Sequence, residues 1–186
     1  LFHWLMAASI LVLIFTGVAP ILGLRVAWLD IHWISGLLLT FLVVAHIIRA
    51  SFWQDFKSML LMPKDFAEPF DSSRKPGKYY FEQKGMHWAV TVVALAVIVT
   101  GVLMFMQIDS PFWDRTNSMA EDQLGLVFLL HGLSTLALVA LAATHIYFAL
   151  RPEKIFYTRS MISGWMSEDE MAANHDTAKW SPKEAE

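Results

Sequence analysis

HWLMAASILVLIFTGV (residues 3–18) and HWAVTVVALAVIVTGV (residues 87–102) decide how the rest of the chain is read. Both open on His-Trp, close on Thr-Gly-Val at the same spacing, and carry no charge between. A surface helix of a soluble protein alternates an apolar stripe with a polar face. Neither stretch has a polar face, so each reads as a helix surrounded by apolar material on all sides, and each is a copy of the other.

Working outward, residues 1–24, 31–48, 85–108 and 123–150 contain no Asp, Glu, Lys or Arg. At 1.5 Å per residue, about 18–20 such residues cross a hydrocarbon core. The chain is 56% hydrophobic and 17% charged, below the roughly 25% charge of a soluble domain. The expectation is an all-α, integral-membrane four-helix bundle in one domain, residues 1–166, with helices at about 1–22, 27–50, 85–108 and 124–150. The first stretch lacks a basic n-region and is followed by further spans, which argues against a cleaved leader. Since the chain begins at Leu, a few residues are expected to precede it.

The second and fourth stretches repeat as well. His32 and His46 stand in an H-x13-H-I pattern, and so do His131 and His145. The repeating unit is therefore a helical hairpin, occurring twice in parallel about an axis along the membrane normal. Between the copies lies a polar segment containing Pro63, Pro69, Pro76 and the run DSSRKPGK, read as loop with a short interfacial helix near residues 52–61. Residues 151–166 are expected to form an amphipathic cytoplasmic segment. Residues 167–186 read as a polar, disordered tail, with His175 solvated in it.

Twelve of the fourteen Lys and Arg fall in the middle loop or the tail; only Arg25 and Arg115 lie in the other two loops. The positive-inside rule then puts both termini and the middle loop in the cytoplasm. Trp4, Trp53 and Trp88 fall near the inner interface and Trp28, Trp33 and Trp113 near the outer one, where amphipathic indoles settle. There is no cysteine. Iron–sulfur clusters, disulfides and thioether-attached haem are thereby excluded, and any redox centre is held non-covalently. The expected surroundings are a lipid bilayer and partner proteins, with no nucleic acid.

Six of seven histidines lie within spans, where an unpartnered polar side chain is costly. Fourteen residues advance a helix by about 21 Å and return it to within about 40° of the starting face. His32 and His46 thus share a face at opposite membrane depths, and so do His131 and His145. Two helices offering imidazoles at both depths can clamp two stacked macrocycles, one per leaflet. Gly17 and Gly101 lie fourteen residues after His3 and His87, at the depth of His32 and His131. A porphyrin between those two histidines can pack flat on both glycine backbones; ordinary small-residue helix packing is the plainer account. For the histidines the plainer account is interhelical hydrogen bonding, which suits His3 and His87 near helix ends. The competing functional class is a non-redox anchor or a histidine-lined metal transporter. Against the transporter, the spans offer no acidic residue or cysteine to help hold a desolvated cation.

His3-Trp4, the outer His32, GKYYFEQK at 77–84, Thr100-Gly101-Val102, LLH(131)…TH(145)IYFA and SMISGW at 160–165 together resemble the cytochrome b (gamma) subunit of respiratory formate dehydrogenase. More widely they resemble the cytochrome b subunits of nickel–iron hydrogenases and related bacterial di-haem cytochromes b. The resemblance covers nearly the whole chain. It implies a bacterial inner-membrane location, with an outer haem b held by His32 and His131 and an inner haem b held by His3 and His145. It also implies a quinone site near the inner haem, and electrons arriving through iron–sulfur and catalytic subunits on the extracytoplasmic side. The family's GKYN segment is GKYY here, with Tyr80 in place of the Asn.

His46 and His87 exceed that pattern. Under the two-fold repeat, His3–His145 maps onto His87–His46, which gives a third haem b in the inner leaflet. The rival pairing, that of cytochrome bc complexes, gives two haems on His32–His131 and His46–His145, leaving His3 and His87 for quinone or propionate contacts. The expected function is electron transfer across the membrane between a partner dehydrogenase or reductase and the quinone pool, with substrate catalysis in the partner subunits. Tyr80, Glu82 and Lys84 are the candidate quinone contacts; Arg49, Lys84 and Arg151 sit where they would neutralise propionates or simply anchor the interface.

Overall fold

A computed structural model describes residues 2–70 and 75–180. Every regular element among them is helical: α1 Phe2–Val18, α2 Trp28–Trp53, α3 Phe81–Phe105, α4 Glu121–Leu150, α5 Ile155–Ser163 and α6 Glu168–Asn174. Two 3-10 segments, Phe56–Met59 and Pro63–Phe70, lie between α2 and α3. α2, α3 and α4 are long and apolar enough to cross a membrane, whereas α1 has 17 residues.

Three helix ends differ from the charge-free stretches, each for a local reason. α1 stops at Val18 rather than near residue 22, because Pro20 cannot continue a helix. The chain instead turns through Ala19–Gly23, with Gly23 at φ +69°, and Leu24 N–H closes the turn on the Ala19 carbonyl. α3 begins at Phe81 rather than 85 and so includes Glu82 and Lys84 in its first turn. Its first amides are satisfied by side chains, Tyr80 N–H by Gln83 and Phe81 N–H by Glu68. α4 likewise begins at Glu121, its acidic first turn complementing the positive end of the helix dipole. The short helix expected near 52–61 is divided between the end of α2 and the 3-10 turn at Phe56–Met59. Four residues of the DSSRKPGK run, 71–74, lie outside the described residues.

The apolar side chains are arranged for lipid. Leu11, Phe15, Phe41, Val92, Leu129 and Leu136 are all exposed, while the buried apolar set is small and includes Leu39, Leu42, Ala94, Val127 and Leu138. In water so large an apolar surface is untenable for a monomer; in a bilayer it is the surface that acyl chains cover. The polar atoms of the spans obey the same solvent. The hydroxyls of Ser9, Thr40, Thr100 and Thr144 donate to carbonyls one turn back, at Leu5, Gly36, Ala96 and Ala140, so none faces hydrocarbon with a free proton. The protein is an all-helical membrane protein.

The chain divides into two compact units, residues 1–54 with 91–139, and residues 55–90 with 140–186. In the first, α1 and α2 are closely packed, Gly36 of α2 lying against Leu13 of α1. Trp33 of α2 stacks on Phe105 at the end of α3, with ring centroids 5.2 Å apart, and Trp113 packs edge-on to Phe105. The loop after α3 is tied back by Gln107 donating to Ser118 and Thr116 donating to the Met106 carbonyl.

The second unit is organised around two polar anchors. Lys84 of α3 donates to Asp65 Oδ2 at 2.8 Å, both side chains nearly buried, and Asp65 also accepts from Met62 N–H. Trp88 Nε1 donates to the Met59 carbonyl. The other anchor corrects an expectation. The tail is not a solvated, disordered strand over residues 167–180, and His175 is only 2% exposed. α6 begins with a capping box between Ser167 and Glu170, Glu170 accepts from Arg159 of α5, and His175 hydrogen-bonds to the Gly77 carbonyl through Nδ1 and to Tyr157 through Nε2. Asp176 N–H and Lys179 Nζ donate to the Pro76 and Lys75 carbonyls. Residues 181–186 of the expected tail lie outside the described residues.

Candidate functional site

In the first unit the repeat becomes a pair of matched side-chain arrangements. His32 is on α2, one turn from its start, and Thr16 and Gly17 are at the end of α1. Thr16 Oγ1 lies 2.8 Å from His32 Nδ1, and a β-carbon on Gly17 would sit 3.7 Å from His32 Cε1. The second copy repeats this from α3 to α4: Thr100 Oγ1 lies 2.9 Å from His131 Nδ1, and a β-carbon on Gly101 would sit 3.4 Å from His131 Cε1. Thr16 is fully buried and Thr100 nearly so. The two imidazoles are edge-on neighbours, with ring centroids 6.3 Å apart and planes 70° apart.

That separation matches a specific chemistry. A metal–imidazole nitrogen bond is about 2 Å and the ring centre lies about 1 Å beyond the nitrogen, so a metal held trans between two histidines needs centroids about 6 Å apart. Each ring is held at Nδ1 by a threonine, which leaves Nε2 of both as the nitrogen for ligation. At both positions the glycine backbone also lies beside the edge of the imidazole, which a β-carbon would just touch.

The other expected ligands are distributed as follows. His3 and His46 belong to the first unit, His87 and His145 to the second. His3 packs edge-on to Trp4 with centroids 5.0 Å apart, and His87 does the same with Trp88 at 5.8 Å, so the repeated His-Trp makes the same local contact in each copy. Arg49 lies over the ring of Phe2, and Arg151 is paired with Glu153.

Among the candidate quinone contacts, Lys84 is engaged with Asp65. Burial works to raise the Asp65 carboxyl, but the Lys84 hydrogen bond, the Met62 amide and the charges of Lys84 and Lys64 together hold it below the usual carboxylate range. The Tyr80 hydroxyl donates to the Asn174 carbonyl at 2.8 Å, and the Lys154 ammonium lies 4.5 Å from its ring centroid. Burial pushes the Tyr80 phenol up; a hydrogen bond with Tyr157 opposes this, and the charges of Glu82 and Glu68 add to it. Burial raises Tyr157 too, helped by Tyr80. Both phenols are therefore neutral proton donors at physiological pH.

Sequence reasoning passed over two sets of residues. Thr16 and Thr100 stand in the repeated Thr-Gly-Val, whose spacing points to the glycines and not to the hydroxyls beside them. Asn174 and His175 were assigned to solvent, although S-E-D-E at 167–170 is a helix-start signal.

An all-helical membrane protein with two half-buried neighbouring imidazoles of this spacing belongs to the class of membrane cytochromes b. More specifically, the chain belongs to the prokaryotic cytochrome b561 family, whose model matches residues 1–164. It is 25% identical to the formate dehydrogenase cytochrome b556 subunit of Haemophilus influenzae, over 97% of this chain and 75% of that one. Membership implies haem b and a role as a membrane electron-transfer subunit. The His32–His131 pair fits the group: two imidazoles with centroids 6.3 Å apart would hold its iron, each with Nδ1 already beside a threonine hydroxyl.

Proposed function

We propose that the chain is the haem-bearing membrane subunit of a respiratory oxidoreductase complex in the bacterial inner membrane. In this reading four helices, two hairpins repeated in parallel, span the bilayer with both termini cytoplasmic. The observation that carries it is the His32–His131 pair with centroids 6.3 Å apart, generated by the repeat that also placed matched threonines and glycines around it. His32 and His131 hold the outer haem b. The inner haem b is assigned to His3 and His145 on the resemblance, and a third, on His46 and His87, rests on the symmetry of the sequence repeat.

Bound haem supplies a one-electron carrier at each depth; the protein supplies axial imidazoles, a low-dielectric sheath and fixed orientation, which set the potential. Electrons enter from an extracytoplasmic partner. The Haemophilus relative's name makes it a formate dehydrogenase subunit, and by analogy the partners here are iron–sulfur and catalytic subunits. Quinone chemistry belongs at the cytoplasmic end, where Tyr80, Glu82 and Lys84 precede or open α3. Hydroxyl and carboxyl groups at that depth can hold a quinone head group and exchange its protons with cytoplasmic water.

The experiment is haem quantitation on the purified protein, by pyridine haemochrome and reduced-minus-oxidised spectra. Three haems b per chain are expected, falling by one in His32→Ala, His131→Ala and His87→Ala alike. A parent value of two with His87→Ala unchanged removes the third site and leaves the rest. A chain purified without haem from haem-replete cells restores the anchor or transporter reading.

A further inference from the structure

The geometry points to Thr16 and Thr100 as positioning residues that fix the tautomer of the outer-haem ligands and lower that haem's potential. The inference rests on the reading of His32 and His131 as haem ligands. Each threonine hydroxyl has one proton, and its direction is settled by the helix. Thr16 Oγ1 lies 2.8 Å from the Val12 carbonyl and 3.2 Å from that of Leu13; Thr100 Oγ1 lies 2.7 Å from Ala96 and 3.1 Å from Val97. Carbonyl oxygens only accept, so the hydroxyl proton is committed to the helix and the remaining lone pairs face the imidazole.

The nitrogen at 2.8 Å from Thr16 and 2.9 Å from Thr100, Nδ1 in both histidines, must then be the protonated one. With Nδ1 carrying the proton, Nε2 keeps the bare lone pair that ligation needs. A histidine that ligates a metal through one nitrogen and donates from the other is a stronger electron donor and is held in one orientation. A stronger donor stabilises ferric over ferrous iron, so the hydroxyls pull the potential down. The threonine is also the residue just before each glycine, so one helix turn supplies both the acceptor and the room for the ring.

A back-bonded hydroxyl alone is common in membrane helices and would account for either threonine singly. It does not account for two of them, in related helices, each meeting Nδ1 of the histidine whose edge packs on the next residue.

The test is a redox titration of the purified, haem-loaded protein carrying Thr16→Val, Thr16→Ala or Thr16→Ser, and the matching changes at 100, with ferric electron paramagnetic resonance on each. Val and Ala should shift the outer-haem ferrous-to-ferric ratio three- to tenfold toward ferrous at fixed ambient potential, tenfold being about 59 mV for one electron. They should also alter its low-spin ferric signal. Ser should restore both, and the other haem signals should stay put. Should Val and Ala lose the outer haem while the inner remains and Ser retains it, the orienting role is supported in a stronger form. Val or Ala proteins with full haem, an unmoved potential and an unmoved ferric signal would overturn the inference. So would loss of the haem in Ser as readily as in Val, or loss of every haem in Val and Ala. A parent without haem refutes the underlying ligand reading instead, so the two failures are separable.

Discussion

At the residue scale, the informative positions are those where the repeat specifies an absence. Gly17 and Gly101 leave 3.7 and 3.4 Å between a hypothetical β-carbon and the neighbouring imidazole. Those are ordinary contact distances, so a methyl group fits where a longer side chain meets the ring. Gly17→Ala should therefore keep the outer haem and gain up to about 1 kcal/mol of helix stability. Gly17→Leu should displace His32 and lose that haem while the inner one persists. Haem content and thermal unfolding of the two variants decide this; loss of haem in the alanine variant, or its retention in leucine, would count against the imidazole-clearance account. The spacing of these glycines was legible in the sequence, but what they clear was not, because a sequence shows depth along a helix and not which neighbour's edge arrives there.

At the element scale, the start of α3 depends on one ion pair. Lys84 sits inside the helix's first turn and would be costly there alone; Asp65 of the preceding 3-10 segment neutralises it at 2.8 Å. Removing one partner of a nearly buried pair costs more than the pair itself contributes, typically about 3–5 kcal/mol. Asp65→Asn should lower the unfolding temperature clearly, and Asp65→Asn with Lys84→Met should recover much of the loss, as read by thermal unfolding in detergent. Because the folded Asp65 carboxyl lies below its unfolded value, its contribution is fully present above about pH 4 and is lost as pH falls through the folded value. Stability should therefore fall with acidification below pH 4 in the parent, and the Asp65→Asn variant should lack that part of the decline. Reading spans as charge-free stretches placed Lys84 just outside α3 for an understandable reason: hydropathy charges each ionised residue in full, and a partner nineteen residues away is invisible to it.

At the scale of the whole molecule, the proposed orientation rests on charge. Twelve of fourteen cationic side chains fall between residues 49 and 84 or after residue 150, and under the proposed orientation the positive-inside rule assigns these segments to the cytoplasm. The absence of cysteine makes the test clean. In intact cells, Asn117→Cys should react with a membrane-impermeant thiol reagent and Ser58→Cys should not; the reverse pattern would invert the inner and outer assignments and move the quinone end to the other face. The folded tail adds a consequence for the same end: the segment carrying Tyr80 is held by Asn174, His175 and Asp176, so it is a built structure and not a loop with a free tail beside it.

The sequence by itself determined the solvent, the helices and the repeat. An apolar bilayer imposes one strong rule on composition, and two copies of one hairpin make depth and face readable by counting from His3 to Gly17 or from His32 to His46. Tertiary structure decided what short-range polar geometry controls: that Thr16 and Thr100 hold Nδ1 of the two histidines, that Lys84 answers Asp65, and that His175 is buried against Gly77 and Tyr157. These are hydrogen bonds between residues as much as 98 apart, set by distances of a few tenths of an ångström, and periodicity carries no information about them.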